Sequence, residues 1–189
     1  MAMSKGIFVT AIAALLTLSA GCTTTSGAGD PAARRAAIDT GVDDALATLF
    51  REIEGSRELV SQARGVLVFP DVLEAGFMIA AARGSGALRV GGATQSYHAT
   101  TSGSFGLQAG AQSTAVFMLF MTDEALSRFQ NSSGWTVGAD ASVTLLTVGA
   151  SARIDTSTAQ QPVIGFVLSN RGLMAGISLD GARITRLEL

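Results

Sequence analysis

Between residues 38 and 53 apolar side chains recur at spacings of three and four: Ile38, Val42, Ala45, Leu46, Leu49, Phe50 and Ile53. That period makes one apolar stripe along an amphipathic helix. Asp39, Asp43, Asp44, Glu52, Arg34, Arg35 and Arg51 occupy the rest of its surface. Asp30-Pro31 supplies an N-cap and a proline at the first helical position, and Gly55 supplies the stop. Ser56 is placed to cap a second, shorter helix over 57–63. Beyond Gly65 the period changes. Short apolar runs alternate with glycine and small polar residues, which predicts strands at 66–69, 76–82, 87–91, 96–101, 104–111 and 114–121. Thr122 then caps a helix over 123–130, and further strands are predicted at 135–140, 142–149, 163–169, 172–179 and 182–187. Arg83-Gly84-Ser85-Gly86 and Asp180-Gly181 read as hairpin turns.

Strands this short and closely spaced pair antiparallel, because a parallel crossover takes a dozen or more residues. Glycine pairs four apart (Gly106 and Gly110, Gly134 and Gly138, Gly172 and Gly176) fall on one face of their predicted strands, where they mark curvature or close backbone approach. The resulting fold class is α+β: N-terminal helices followed by strongly curved, glycine-rich antiparallel sheet or sheets forming a barrel- or sandwich-like core.

The first segment is different in kind. Lys5 precedes an uncharged apolar run, Gly6 to Leu18. It is too short for a membrane span, which takes roughly 20 apolar residues, and it has the length of a signal-peptide core. The run ends Leu18-Ser19-Ala20-Gly21-Cys22, which resembles a bacterial lipobox with Ser19 where leucine is usual. The resemblance implies that residues 1–21 are a lipoprotein signal peptide and that Cys22 becomes the acylated first residue of the mature chain. Thr23 follows Cys22, where aspartate would signal inner-membrane retention, so the expected location is the cell envelope, lipid-anchored at the outer membrane. Residues 22–30 are small and polar and read as a flexible tether. Two or three acyl chains hold a protein to a bilayer where a single chain attaches it only reversibly.

Charge and composition then narrow the function. Of 189 residues, 48 % are hydrophobic and 15 % charged, which excludes a disordered chain. Lys5 is the only lysine, so the chain after residue 21 carries 12 arginines against 15 acids, a formal −3. That balance excludes the basic footprint of a nucleic-acid binder. One cysteine and one histidine exclude an internal disulfide, a cysteine cage and a multi-histidine metal site. Gly84-Ser85-Gly86 lacks the rest of a dinucleotide fingerprint, and Gly149-Ala150-Ser151-Ala152-Arg153 lacks the closing glycine of a nucleophile elbow. Asp140, Asp155 and Asp180 are scattered. No catalytic constellation, metal site or cofactor is predicted.

Residues 64–82 (ARGVLVFPDVLEAGFMIAA) resemble the opening of the SYLF domain family, and 105–122, 134–142 and 172–183 resemble three later blocks of it in the same order. The resemblance runs from about residue 36 to 187, so residues 31–189 are identified as a SYLF-like domain. It implies membrane-lipid binding, notably of phosphoinositides in eukaryotic members, actin binding in some fungal members, and no enzymatic activity. The chain departs from the family at Tyr97-His98-Ala99, where Trp-Ser-x-Pro is usual, and at Ala115. Its first helix is acid-rich where eukaryotic members present basic residues, which argues against phosphoinositide specificity.

Candidate headgroup contacts are Arg34, Arg35, Arg83 and Arg89, because an arginine fork matches phosphate bidentately. Each also has a plainer reading: Arg34 and Arg35 as a solvated helix start, Arg83 and Arg89 as charges guarding a sheet edge. Phe117, Met118, Phe120 and Met121 read as core before they read as a lipid pocket, and His98 as a hydrogen-bonded surface residue before a proton shuttle. The expected function is a lipid-anchored envelope protein whose domain binds phospholipid headgroups. The alternative is a structural or partner-binding lipoprotein with no lipid ligand of its own.

Overall fold

The computed structural model describes residues 30–146, 161–169, 172–173 and 179–189. The leader, Cys22 and the tether up to Gly29 lie outside the described residues, as do Asp155 and most of the predicted strands at 142–149 and 172–179.

Helix α1 spans Pro31–Glu52, with Pro31 as its first residue. Helix α2 spans Ser56–Gln62. Ser56 does not cap α2. It is the first helical residue, and its buried hydroxyl donates to the Ile53 and Leu49 carbonyls at 2.6 and 3.1 Å, satisfying the otherwise orphaned end of α1.

Two long strands come next. Strand β1 spans Gly65–Val90 and β2 spans Ala93–Phe120. They pair antiparallel along almost their whole length. The six separate strands predicted over 66–121 are therefore two. The ladder is interrupted only by register shifts between Phe69 and Val72, Phe77 and Ile79, and Leu88 and Arg89. Pro70 sits in the first, where a residue without an N–H is tolerated. The predicted turn at Arg83–Gly86 is likewise overturned: these residues pair with 98–101 inside the ladder. The hairpin turns instead at Gly91 and Gly92, at φ 59° and 83°, as a two-residue turn with φ > 0 at both positions requires.

Helix α3, Asp123–Asn131, begins as predicted, with the Thr122 hydroxyl accepting the Ala125 N–H at 3.2 Å. Strand β3 is only Trp135–Thr136, because the chain turns at Gly138. Then come β4 (Thr144–Leu145), β5 (Val163–Ser169), β6 (Gly172–Leu173) and β7 (Arg183–Leu187). One mixed, strongly curled sheet results, in the order β3-β7-β2-β5-β4, with β1 also on β2 and β6 on β5. The length of β2 explains this order. It holds β7 at residues 97–101 and β5 at 114–120 along the same side. Among the described residues one pair is parallel, β4 with β5; the others are antiparallel.

The curl brings β1 against its own beginning. A Cβ on Gly86 would lie 2.0 Å from the Val68 carbonyl oxygen, and one on Gly84 2.9 Å from that of Asp71. Two cores arise from the alternation of side chains. Inside the curl lie Leu67, Phe69, Met118, Phe120, Val163, Ile184 and Trp135, closed by Leu126 and Phe129 of α3. Outside it, Val66, Val68, Phe117, Leu119, Ile164 and Phe166 meet the α1 stripe at Val42, Leu49 and Ile53. That stripe therefore packs on its own domain.

Gly86→Ala is expected to cost at least about 3 kcal/mol, since the methyl meets backbone rather than a movable side chain. Gly103→Ala, whose Cβ would meet nothing nearer than 4.0 Å, is expected to change stability by less than about 1 kcal/mol. Chemical denaturation of the two variants checks both.

Candidate functional site

Helix α1 is fastened to the tip of the β1–β2 hairpin by a polar knot centred on Asp39. Its carboxylate accepts from the Thr94 hydroxyl at 2.7 Å and the Tyr97 hydroxyl at 2.8 Å. Arg89 reaches the Asp39 carboxylate at 3.6 Å, the Asp39 carbonyl at 3.3 Å and Asp43 at 2.9 Å. The four-residue spacing of Asp39 and Asp43 puts both acids on one side of α1, where a single guanidinium spans them. Burial, then the hydrogen bond and charge of Asp39, raise the Tyr97 phenol, with Arg35 and Arg89 opposing. Arg35, one turn before Asp39, donates to the Leu189 carbonyl.

The four predicted headgroup arginines thus do not converge. Arg89 is committed to α1, its side chain only 17 % exposed, and Arg35 is engaged by the chain end. Arg34 is exposed at the start of α1, and Arg83 is exposed on β1, six residues from Arg89. Arg83 lies opposite Thr101 of β2, which lies opposite Arg183 of β7. Arg183 is also exposed. Sequence reasoning missed it, since only the strand register places it beside Arg83.

His98 is buried, not a surface residue as predicted. It shares a hydrogen bond with the Ser96 hydroxyl at 2.8 Å, and its ring lies 4.9 Å from that of Phe129. Phe117, Met118 and Phe120 are fully buried, so they fill the two cores and do not line an open slot. An open groove of about 470 Å³ runs between α1 and the sheet, past Gly41, Asp44, Pro70, Asp71, Ser113 and Ser169. Asp140 accepts the Thr136 N–H at 2.6 Å. Among the described residues no cluster of three His, Cys, Asp or Glu is placed to hold a metal ion. Nor is any helix among them long and apolar enough to cross a membrane.

Residues 101–188 match the family model of Ysc84, the Las17-binding protein actin regulator. The match is consistent with a SYLF-domain protein. The match begins inside β2 and takes in α3 and all later strands. No curated protein matches the chain. SYLF domains form a lipid- and actin-binding family, not a known enzyme family.

Burial, and secondarily the charge of Arg186 opposite it, lower the His98 pKa from 6.5 to about 4. Between those values the unfolded chain binds a proton that the folded one refuses. Stability is therefore full above about pH 6.5, falls as pH drops, and has lost its share, about 3 kcal/mol, once pH reaches about 4. Melting temperatures of the protein and of His98→Gln across this range are expected to show a shallower acid loss in the variant.

Proposed function

We propose that this protein is a lipid-anchored component of a bacterial cell envelope whose SYLF domain binds the headgroups of membrane phospholipids. The observation that carries the headgroup reading is Arg83: exposed on the sheet, and absent from every ion pair found among the described residues. A guanidinium so placed is available to a phosphate. Arg34 is the second such contact, at the start of α1.

The anchor reading rests on Cys22 and the residues before it. Acyl chains on Cys22 hold the protein at the outer membrane, where one chain alone would attach it only reversibly. Partner docking is the second reading. The groove beside α1 and the Las17-binding description of the family favour it.

Cys22→Ser is expected to move the protein from the membrane fraction to the soluble fraction; unchanged fractionation or continued acylation refutes the anchor. Residues 31–189, the compact unit that holds every described helix and strand, are expected to float with vesicles containing anionic phospholipid. If this unit never floats on any bacterial lipid mixture, the headgroup reading fails and partner docking gains.

A further inference from the structure

Arg83 does not stand alone on its face of the sheet. It lies opposite Thr101, Thr101 opposite Arg183, and Arg183 opposite Thr136. Directly opposed residues of paired strands share a face, so four strands present one transverse row of alternating arginine and threonine. The same face carries α1 farther along. Tyr97, which bonds Asp39, lies four residues from Thr101 on β2, roughly 13 Å away. Nothing bulky crowds the row. The adjoining rows on this face are Ser85–Ala99–Thr185 on one side and Ala81–Gly103 on the other.

The charges of the row are unspent. The ion pairs found among the described residues engage Arg51, Arg64, Arg89 and Arg128, and neither Arg83 nor Arg183. The nearby carboxylate at the β3 edge, Asp140, accepts the Thr136 N–H. The Arg183 guanidinium lies over bare backbone, with Nη2 3.2 Å from where a Gly134 Cβ would stand. A side chain at position 134 would meet the fork.

Spacing sets the ligand chemistry. Adjacent strands are 4.7–4.9 Å apart, so the two arginines are rooted about 10 Å from each other with a hydroxyl between them. One fork takes one phosphate through two parallel hydrogen bonds. Two like charges with no carboxylate between them hold apart, and a single phosphate fills only one fork. We propose that the Arg83–Thr101–Arg183 row is a receptor for a group carrying two phosphates on a short hydroxylated bridge. Each guanidinium takes one phosphate and the Thr101 hydroxyl takes the bridge. Resting on the lipid-binding reading, the ligand is a membrane lipid with a diphosphorylated headgroup.

The test uses residues 31–189, with folding checked by far-UV spectrum and a cooperative melt. Vesicles of phosphatidylcholine carry either diphosphatidylglycerol or phosphatidylglycerol at matched total phosphate. The protein is expected to bind the first more tightly. Arg83→Ala with Arg183→Ala is expected to lose roughly thirtyfold in apparent affinity, from about fivefold for each arginine near an anionic surface. Arg51→Ala, at an exposed site on α1, is expected to change nothing. The double lysine variant, Arg83→Lys with Arg183→Lys, keeps both charges without the forks. It is expected to hold both vesicles and lose the preference between them. Equal binding at matched phosphate, or a double alanine variant that binds like the parent, overturns the row while leaving the lipid-binding reading in place. A parent that ignores both vesicles yet binds a soluble sugar bisphosphate through these arginines keeps the row and overturns the lipid source. Binding to none of the three overturns both.

Discussion

The contact that β1 makes with itself governs the rest of this fold. Two stretches of backbone approach so closely only where no Cβ stands between them, and Gly86 against the Val68 carbonyl meets that condition. Once the strand has curled that tightly, the space inside it is narrow. It fills with a single layer of side chains, closed by the ring stack of Phe120, Phe129 and Trp135. The convex side is left with Val66, Val68, Phe117 and Phe166, which must also leave water. Helices α1 and α2 answer that need. The register shifts at Phe69/Val72, Phe77/Ile79 and Leu88/Arg89 bend a pair of strands that otherwise run unbroken.

Much of this architecture is legible in the chain. The α1 stripe, the Thr122 cap and β5 stand where periodicity puts them, because each is decided by neighbours within a few residues. The hairpin is not legible, and the reason is chemical. Gly84-Ser85-Gly86 has the composition of a turn, and the same composition serves where a backbone must pass close to another. Only the neighbouring chain tells the two apart. Arg89 could not be assigned to Asp39 and Asp43, nor Arg183 matched to Arg83, because packing and strand register join residues about 50 and 100 positions apart. His98 was misplaced for a related reason: alternation does not say which face of a two-sided sheet is covered, and α3 covers the face that His98 occupies.

The electrostatics divide the arginines by role. Those near the hairpin tip are consumed in holding α1, a nearly buried guanidinium between two carboxylates being far costlier to break than a surface pair. Those on the open part of the sheet are left to solvent. A domain of net negative charge thereby keeps a local basic face. Attraction from such a face is short-ranged, since at physiological salt it fades within about 8 Å.

The two-residue link at Gly91-Gly92 also bears on how the molecule comes to exist. It joins the two longest strands directly, so their pairing starts at Val90 and Ala93 and extends outward to Gly65 and Phe120. A hairpin of this size is complete once the chain reaches Phe120. The side of β2 that later receives β7 and β5 then stands open until those distant segments arrive. An unpaired strand edge of that length invites other chains. A nascent molecule therefore passes through a stage with an open edge that its finished form conceals.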